Sequence, residues 1–230
     1  MHDEIGLLVG MATTRAIRRY TDDPIPDEHL STMLFHATRA PTGSNRQGFR
    51  FLILRDGVRA AEAKSLLGTT FRDGWNAKVK ADGYQQGSGA DDDSPKARMA
   101  RTMQHFVDNF EKTPVVVLAC VRVRHGSLID GASIYPACQN LLLAARALGY
   151  GGVITGWHSG VESELRTLLE IPDEFAIACT IPLGRPAGRH GPVRRRPVGE
   201  LVFDDGWDQS ATWATDPPGT RFTSAGPPAS

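Results

Sequence analysis

Residues 132–148 read ASIYPACQNLLLAARAL, and their only charge is Arg146. Such a run predicts a helix apolar on most of its sides, which needs cover all round. In a chain of 230 residues the simplest cover is a second subunit. Upstream, Val115–Val123 (VVVLACVRV) reads as a buried strand. Downstream, Gly149-Tyr150-Gly151-Gly152 ends the helix, and Val153-Ile154-Thr155-Gly156 resumes as extended chain. Ser159 and Glu162 are spaced as a capping box for a short helix carrying Val161, Leu165 and Leu168, and Ala176–Leu183 (AIACTIPL) is another buried strand.

Towards the N-terminus, Ile5, Leu8, Val9 and Ala12 fall at helical spacing, and Leu30, Met33, Leu34 and Ala37 repeat the pattern after a turn from Pro24 to Pro26. Pro41-Thr42-Gly43-Ser44-Asn45 breaks that second helix, and Phe49–Arg55 is strand-like. Residues 68–93 are polar and glycine-bearing, which predicts a mobile excursion rather than core. Ser94 and Pro95 then form an N-cap and first-turn pair, opening a lid-like helix with Met99, Met103, Phe106, Val107 and Phe110 on one stripe. Helices and strands interleave without a regular βαβ rhythm, so the fold class expected is α+β. The expected organisation is one domain over residues 1–204, with a variable lid-like excursion over 68–112. An extension over 205–230, rich in Gly, Pro, Ser and Thr, would be flexible or wrap the surface.

Lys plus Arg equal Asp plus Glu at 26 each, so no global field favours nucleic acid or an anionic membrane. The opening MHDEIGLLVGMATT lacks the basic and long apolar regions of a secretory leader, and no apolar run approaches a membrane span. Cys120, Cys138 and Cys179 lie in apolar stretches without CxxC spacing and read as buried free thiols of a reducing, cytoplasmic compartment. None of the seven histidines has a metal-ligand partner at i+3 or i+4, and His158, beside a glycine-rich turn, reads as a pocket wall. The glycines at 149–152 follow a helix and precede a strand, the reverse of the dinucleotide fingerprint.

Arg15, Arg18 and Arg19 fall within five residues. They read either as a solvated basic turn or as an anion site, since guanidinium groups hold phosphate through charge-assisted, often bidentate bonds. A second cluster, Arg194-Arg195-Arg196, lies near the end of the domain and could converge on the same phosphate. Pro41 to Gln47 is dense in hydroxyl and amide groups and by residue type reads as a helix-to-strand loop.

Taken in order, these segments resemble the FMN-dependent nitroreductase superfamily. Thr14-Arg15-Ala16-Ile17-Arg18-Arg19-Tyr20 echoes an Arg-Arg-Ser-x-Arg-x-Phe opening, with Thr14 and Ala16 as departures. Ala40-Pro41-Thr42-Gly43-Ser44-Asn45-Arg46-Gln47-Gly48-Phe49 echoes an Ala-Pro-Ser/Thr-x-x-Asn-x-Gln-Pro-Trp loop, with Gly48-Phe49 in place of Pro-Trp. Asn140 to Ala145 and on to Gly151, Leu168 to Pro172, Leu183 to Pro186 and Arg195 to Pro197 supply the remaining motifs, so the likeness runs from about Ala12 to Val202.

The resemblance implies a nitroreductase-like fold, a central mixed sheet flanked by helices, in an intertwined homodimer. It implies that Thr14, Arg15, Ala16 and Arg18 reach FMN from one side, with Arg18 at the N1 and O2 edge of the ring, and that Arg194 and Arg196 hold the phosphate. Thr42, Gly43, Asn45 and Asn140 would come from the other subunit, while Val153, Thr155 and Gly156 line the ring, a backbone N–H near Thr155 facing N5. Flavin would carry the chemistry, with NAD(P)H as reductant and a nitroaromatic, quinone or activated alkene as small-molecule acceptor. Reductive dehalogenation, flavin breakdown, or storage and sensing of FMN on the same fold are the alternatives.

Overall fold

The computed structural model describes residues 5–126 and 128–222. Among the described residues six α-helices and four strands follow one another as α1 (Leu7–Thr13), α2 (Asp27–Ala37), β1 (Phe49–Leu54), α3 (Val58–Ala81), α4 (Pro95–Asp108), β2 (Val115–Arg122), α5 (Leu128–Ala147), β3 (Gly151–Gly152), α6 (Glu162–Leu169) and β4 (Phe175–Gly184). The strands form one sheet in the order β1-β2-β4-β3. The α+β class holds.

Residue alternation along β2 explains the layers. Val115, Val117, Ala119 and Val121 join Leu30, Met33 and Ala37 of α2 and Ile134, Ala137, Cys138 and Leu141 of α5 in one core. Val116, Leu118 and Cys120 join Leu67, Phe71 and Trp75 of α3, Phe106 and Val107 of α4 and Leu165 of α6 in the other. Helices cover both faces of β2, which is why its sequence is apolar without alternation.

Three details differ from the sequence expectations. The sheet, expected to be mixed, is antiparallel at each of its three pairings. Two helices lie between β1 and β2 and return the chain antiparallel, while β4 inserts between β2 and β3, the two strands that share a direction. Much of the expected mobile excursion is core: α3 runs unbroken to Ala81, and Gly68, Phe71 and Trp75 on it are buried. Charges at Arg72, Asp73, Lys78 and Lys80 mask a stripe of Leu67, Phe71 and Trp75 at helical spacing. The Ser159–Glu162 capping box does not form. The α6 N-cap is Val161, without a side-chain cap, and the Glu162 carboxylate instead accepts from the Ile177 N–H at 3.1 Å.

The Ser94 cap does form, with the Ala97 N–H donating to Ser94 Oγ at 3.0 Å. Phe71 is fully buried and its ring meets those of Phe106, Phe110 and Trp157 at 4.6–6.2 Å between centroids. Phe71→Ala should therefore cost about 3–5 kcal/mol of stability by urea unfolding. A loss under about 1 kcal/mol, the scale of an exposed site, would return this stretch to the status of a loose excursion.

Helix α5 buries one face against α2 and β2 and leaves Leu142, Leu143, Ala144 and Leu148 partly covered, with Leu128 and Tyr135 exposed. Leu7, Leu8, Val9 and Met11 of α1 are exposed too. From Arg195 to Phe222 the chain bonds to itself. Val198 N–H donates to Asp216 at 2.9 Å, Trp213 Nε1 donates to Asp204 at 3.0 Å, and Arg195 bridges Phe222. Residues 223–230 of the expected extension lie outside the described residues.

Candidate functional site

The first basic cluster is built on chain that runs beside the turn after α5. Gly149, at φ 80°, takes the left-handed conformation that ends the helix. The chain then enters β3, where Ile17 N–H donates to Gly152 O at 3.0 Å. A Cβ on Gly151 would lie 2.5 Å from Ile17 Cγ1 and 2.9 Å from His190 Nε2, so only glycine admits this approach.

The segments that carry the two basic clusters run side by side. After β4 the chain turns back along the N-terminal segment: Ala187 N–H donates to Arg19 O at 2.9 Å, Gly191 N–H to Thr13 O at 3.1 Å and Val193 N–H to Ala12 O at 3.2 Å. Arg194 follows directly. His190 anchors the junction, its Nδ1 accepting from the Arg15 N–H at 3.2 Å and its Nε2 lying 3.1 Å from Tyr150 O. Burial pulls the His190 imidazole below its ordinary value, and Arg146 and Arg15 add to that by Coulomb repulsion, against the bond to Tyr150. Arg196 Nε donates to Glu200 Oε2 at 2.9 Å, so its fork is only partly free.

Arg18 is half-buried, and burial lowers its guanidinium from the ordinary value. Among the described residues no carboxylate pairs with it. It opens on a cleft of about 230 Å³ shared with Arg19, Lys112 and His105, in which Asp22 is the one acid. A desolvated cation without a counter-charge is costly and favours an anion beside it. Thr14 Oγ donates to Gly10 O at 2.7 Å, so this hydroxyl is spent on α1, and Ala16 is exposed.

Thr42, Gly43 and Asn45 lie elsewhere in the protomer. Gly43–Asn45 form a 3-10 turn in which Ser44 and Asn45 have φ of 51° and 52°, and Thr42 Oγ accepts from the Gln47 N–H at 3.0 Å. Gly43 N–H donates to Ser133 Oγ of α5 at 3.3 Å. Thr42 and Gly43 line a small crevice that shares no residue with the Arg18 cleft. One protomer therefore does not unite the two groups. Asn140, expected at the flavin, donates from Nδ2 to His36 O at 3.4 Å and closes the end of α2.

Val153 is buried in the core on the α3 side. Thr155 cannot offer its own N–H to a ligand: that group donates to Thr180 O at 3.0 Å, and Thr155 O accepts in return at 2.9 Å. The N–H next in line, that of Gly156, donates to no described residue, and a Cβ there would meet nothing within 4 Å. The expectation of a backbone donor near Thr155 thus moves one residue on. His158 is buried with Nε2 2.7 Å from Ile177 O, a structural anchor as much as a wall. His190 was missed in the sequence, where its position just before the late arginines was the available signal.

A model of the Nitroreductase family matches residues 11–185. The chain is 28% identical over 196 residues to the NADH dehydrogenase of Thermus thermophilus, covering 82% of this chain and 91% of that one. It is 26% identical over 200 residues to the 4-nitrobenzoate reductase of a Nocardioides species, covering 76% and 78%. A nitroreductase of Desulfovibrio desulfuricans, solved in complex with FMN, superposes with a TM-score of 0.63 at 25% identity, over 89% of this chain and 99% of that one. The family model spans the first basic cluster, the polar loop, both core strands and the turn at Gly156, and the chain belongs to the nitroreductase family.

Proposed function

We propose that the protein is an FMN-dependent NAD(P)H oxidoreductase, acting by a ping-pong scheme on nitroaromatic, quinone or activated-alkene acceptors, with each flavin site drawing on two protomers. The observation that carries this reading is the adjacency of the two arginine-bearing segments, held by two backbone bonds between residues 12–13 and 191–193 and by the bond from the Arg15 N–H to the His190 ring. The donor set fits a phosphorylated flavin: a fork-bearing pair at Arg194 and Arg196 for the phosphate, an uncompensated cation at Arg18 for the electron-rich edge of the ring, and open space with a donor at Gly156. When bound, FMN supplies the acceptor and donor of hydride at its N5, which is why no protein acid or base is needed.

The protein's own residues bind and tune. Arg194 and Arg196 neutralise the phosphate. Arg18, drawn partly out of water, favours negative charge at the N1 and O2 edge because Coulomb attraction strengthens as the local dielectric falls. The Gly156 N–H would face N5, and the bare Cα at Gly156 leaves room for a substrate to approach. Thr42, Gly43 and Asn45 would complete the site from the partner, in keeping with their separation from Arg18 within one protomer. Among the described residues no helix is long and apolar enough to cross a membrane. The three free, buried cysteines suit a reducing compartment such as the cytoplasm.

Anaerobic mixing of the FMN-loaded protein with NADH or NADPH tests the reading. Rapid bleaching, followed by recolouring with a nitroaromatic or a quinone, is expected. Flavin that binds but is not bleached would make the protein a store or sensor of FMN.

Arg18→Ala should make bound FMN harder to reduce and slow its reduction, with affinity reduced by one charged contact of about 1.5–3 kcal/mol. Potentiometry of the two proteins decides this, and an unchanged potential removes Arg18 from the ring.

A further inference from the structure

We propose that His190 is the positioning residue of the phosphate clamp: as a neutral imidazole it holds the Arg15 segment and the Arg194–Arg196 segment in register. This role rests on the clamp reading above.

His190 is buried and joins three parts of the chain. Its Nε2 faces the Tyr150 carbonyl at 3.1 Å, and a carbonyl only accepts, so Nε2 carries the proton. Nδ1 is then a lone pair, which receives the Arg15 N–H at 3.2 Å. One tautomer satisfies both neighbours. The flanking backbone bonds, from Gly191 N–H to Thr13 O and from Val193 N–H to Ala12 O, are donated by the late segment, and the imidazole accepts the third bond from Arg15, completing a seam between two segments that each carry arginines.

A protonated ring would set an N–H at Nδ1 against the Arg15 N–H, donor against donor. The charged groups that face it are Arg15 from the N-terminal segment and Arg146 from α5, both cations, and with burial they oppose protonation. The seam is therefore whole above the ordinary histidine value of about 6.5 and is lost as pH falls below it, through the lowered value His190 has in the fold. The clamp opens in acid.

The test measures dissociation constants of FMN and riboflavin for the full-length protein from about pH 5 to 8, across the histidine range. His190→Phe keeps a ring of similar shape without either nitrogen, and His190→Asn keeps an acceptor near the Nδ1 position without a titrating group. The Phe variant should bind FMN roughly tenfold more weakly, as loss of one organising hydrogen bond allows, with riboflavin unchanged. The Asn variant should keep the FMN preference and lose less affinity in acid than the wild type. The phosphate of FMN takes up its own second proton near pH 6, and that part of the profile is common to both proteins.

A wild-type ratio of FMN to riboflavin affinity in the Phe variant overturns the role of His190 and leaves the clamp standing. Should the Phe variant fail to fold, acid profiles of the Asn variant and wild type decide, and coincident profiles overturn the role. Equal affinity of the wild type for FMN and riboflavin overturns the clamp and this role together.

Discussion

Replacing Arg194 and Arg196 together by Ala is expected to release FMN from the purified protein. Each charged contact to a phosphate is worth about 1.5–3 kcal/mol, so the pair accounts for roughly two to four decades in the dissociation constant before any coupling between neighbours. Riboflavin affinity should hardly move, because riboflavin has no phosphate to lose. Arg196 shares its Nε with Glu200 at 2.9 Å, so Arg194→Ala alone should show the larger single effect. Titration of the apoprotein with both flavins checks this, and a double variant that still prefers FMN would place the phosphate elsewhere.

The second large effect concerns the proposed dimer. Leu8 and Val9 of α1 are 79% and 58% exposed, and Leu128 of α5 is 95% exposed. Exposed large apolar side chains on two helices are what a proposed interface would cover. Leu8→Asp with Val9→Asp should leave the protomer folded, since neither side chain packs in a core, yet forfeit about 3–6 kcal/mol of association. Sedimentation across a dilution series should show a species near 25.0 kDa that has lost FMN. Retention of FMN at one per monomer by that species would refute a site shared between protomers, and an intact dimer would remove α1 from the interface.

Much of the architecture was legible in the sequence because burial on both sides leaves a plain record. Val115–Val123 and Ala132–Leu148 carry one charge each, Arg122 and Arg146, in otherwise largely apolar runs, and they are a central strand and the central helix of the fold. Helix α3 was obscured for the opposite reason: its solvent face is dense with charge, and the eye weighs Arg72, Asp73, Lys78 and Lys80 above the spaced Leu67, Phe71 and Trp75. Local motifs failed where a distant group competed. Glu162 has the spacing of a capping box, but the Ile177 N–H offers it a better-placed donor from β4.

The candidate site was legible as chemistry and not as geometry. Two arginine clusters are plain in the chain, but the adjacency of their segments depends on the path from β4 back along residues 12–15. The late arginines that follow His190 are a weak signal, and its role stays hidden because its two partners, Arg15 and Tyr150, are 175 and 40 residues away. Thr155 shows the same limit on a finer scale: which of two neighbouring N–H groups is free depends on Thr180.

The separation of Arg15 from His190 also bears on how the protein is made. Contacts between residues so far apart carry the largest loop-closure cost and form late in folding. A nascent chain that has emerged from the ribosome only as far as β4 contains every strand of the sheet and the residues of both cores. It lacks the returning segment that carries the late arginines. Flavin capture would thus be deferred until translation has passed the late arginines, and cofactor uptake would report that the domain has been synthesised to its end.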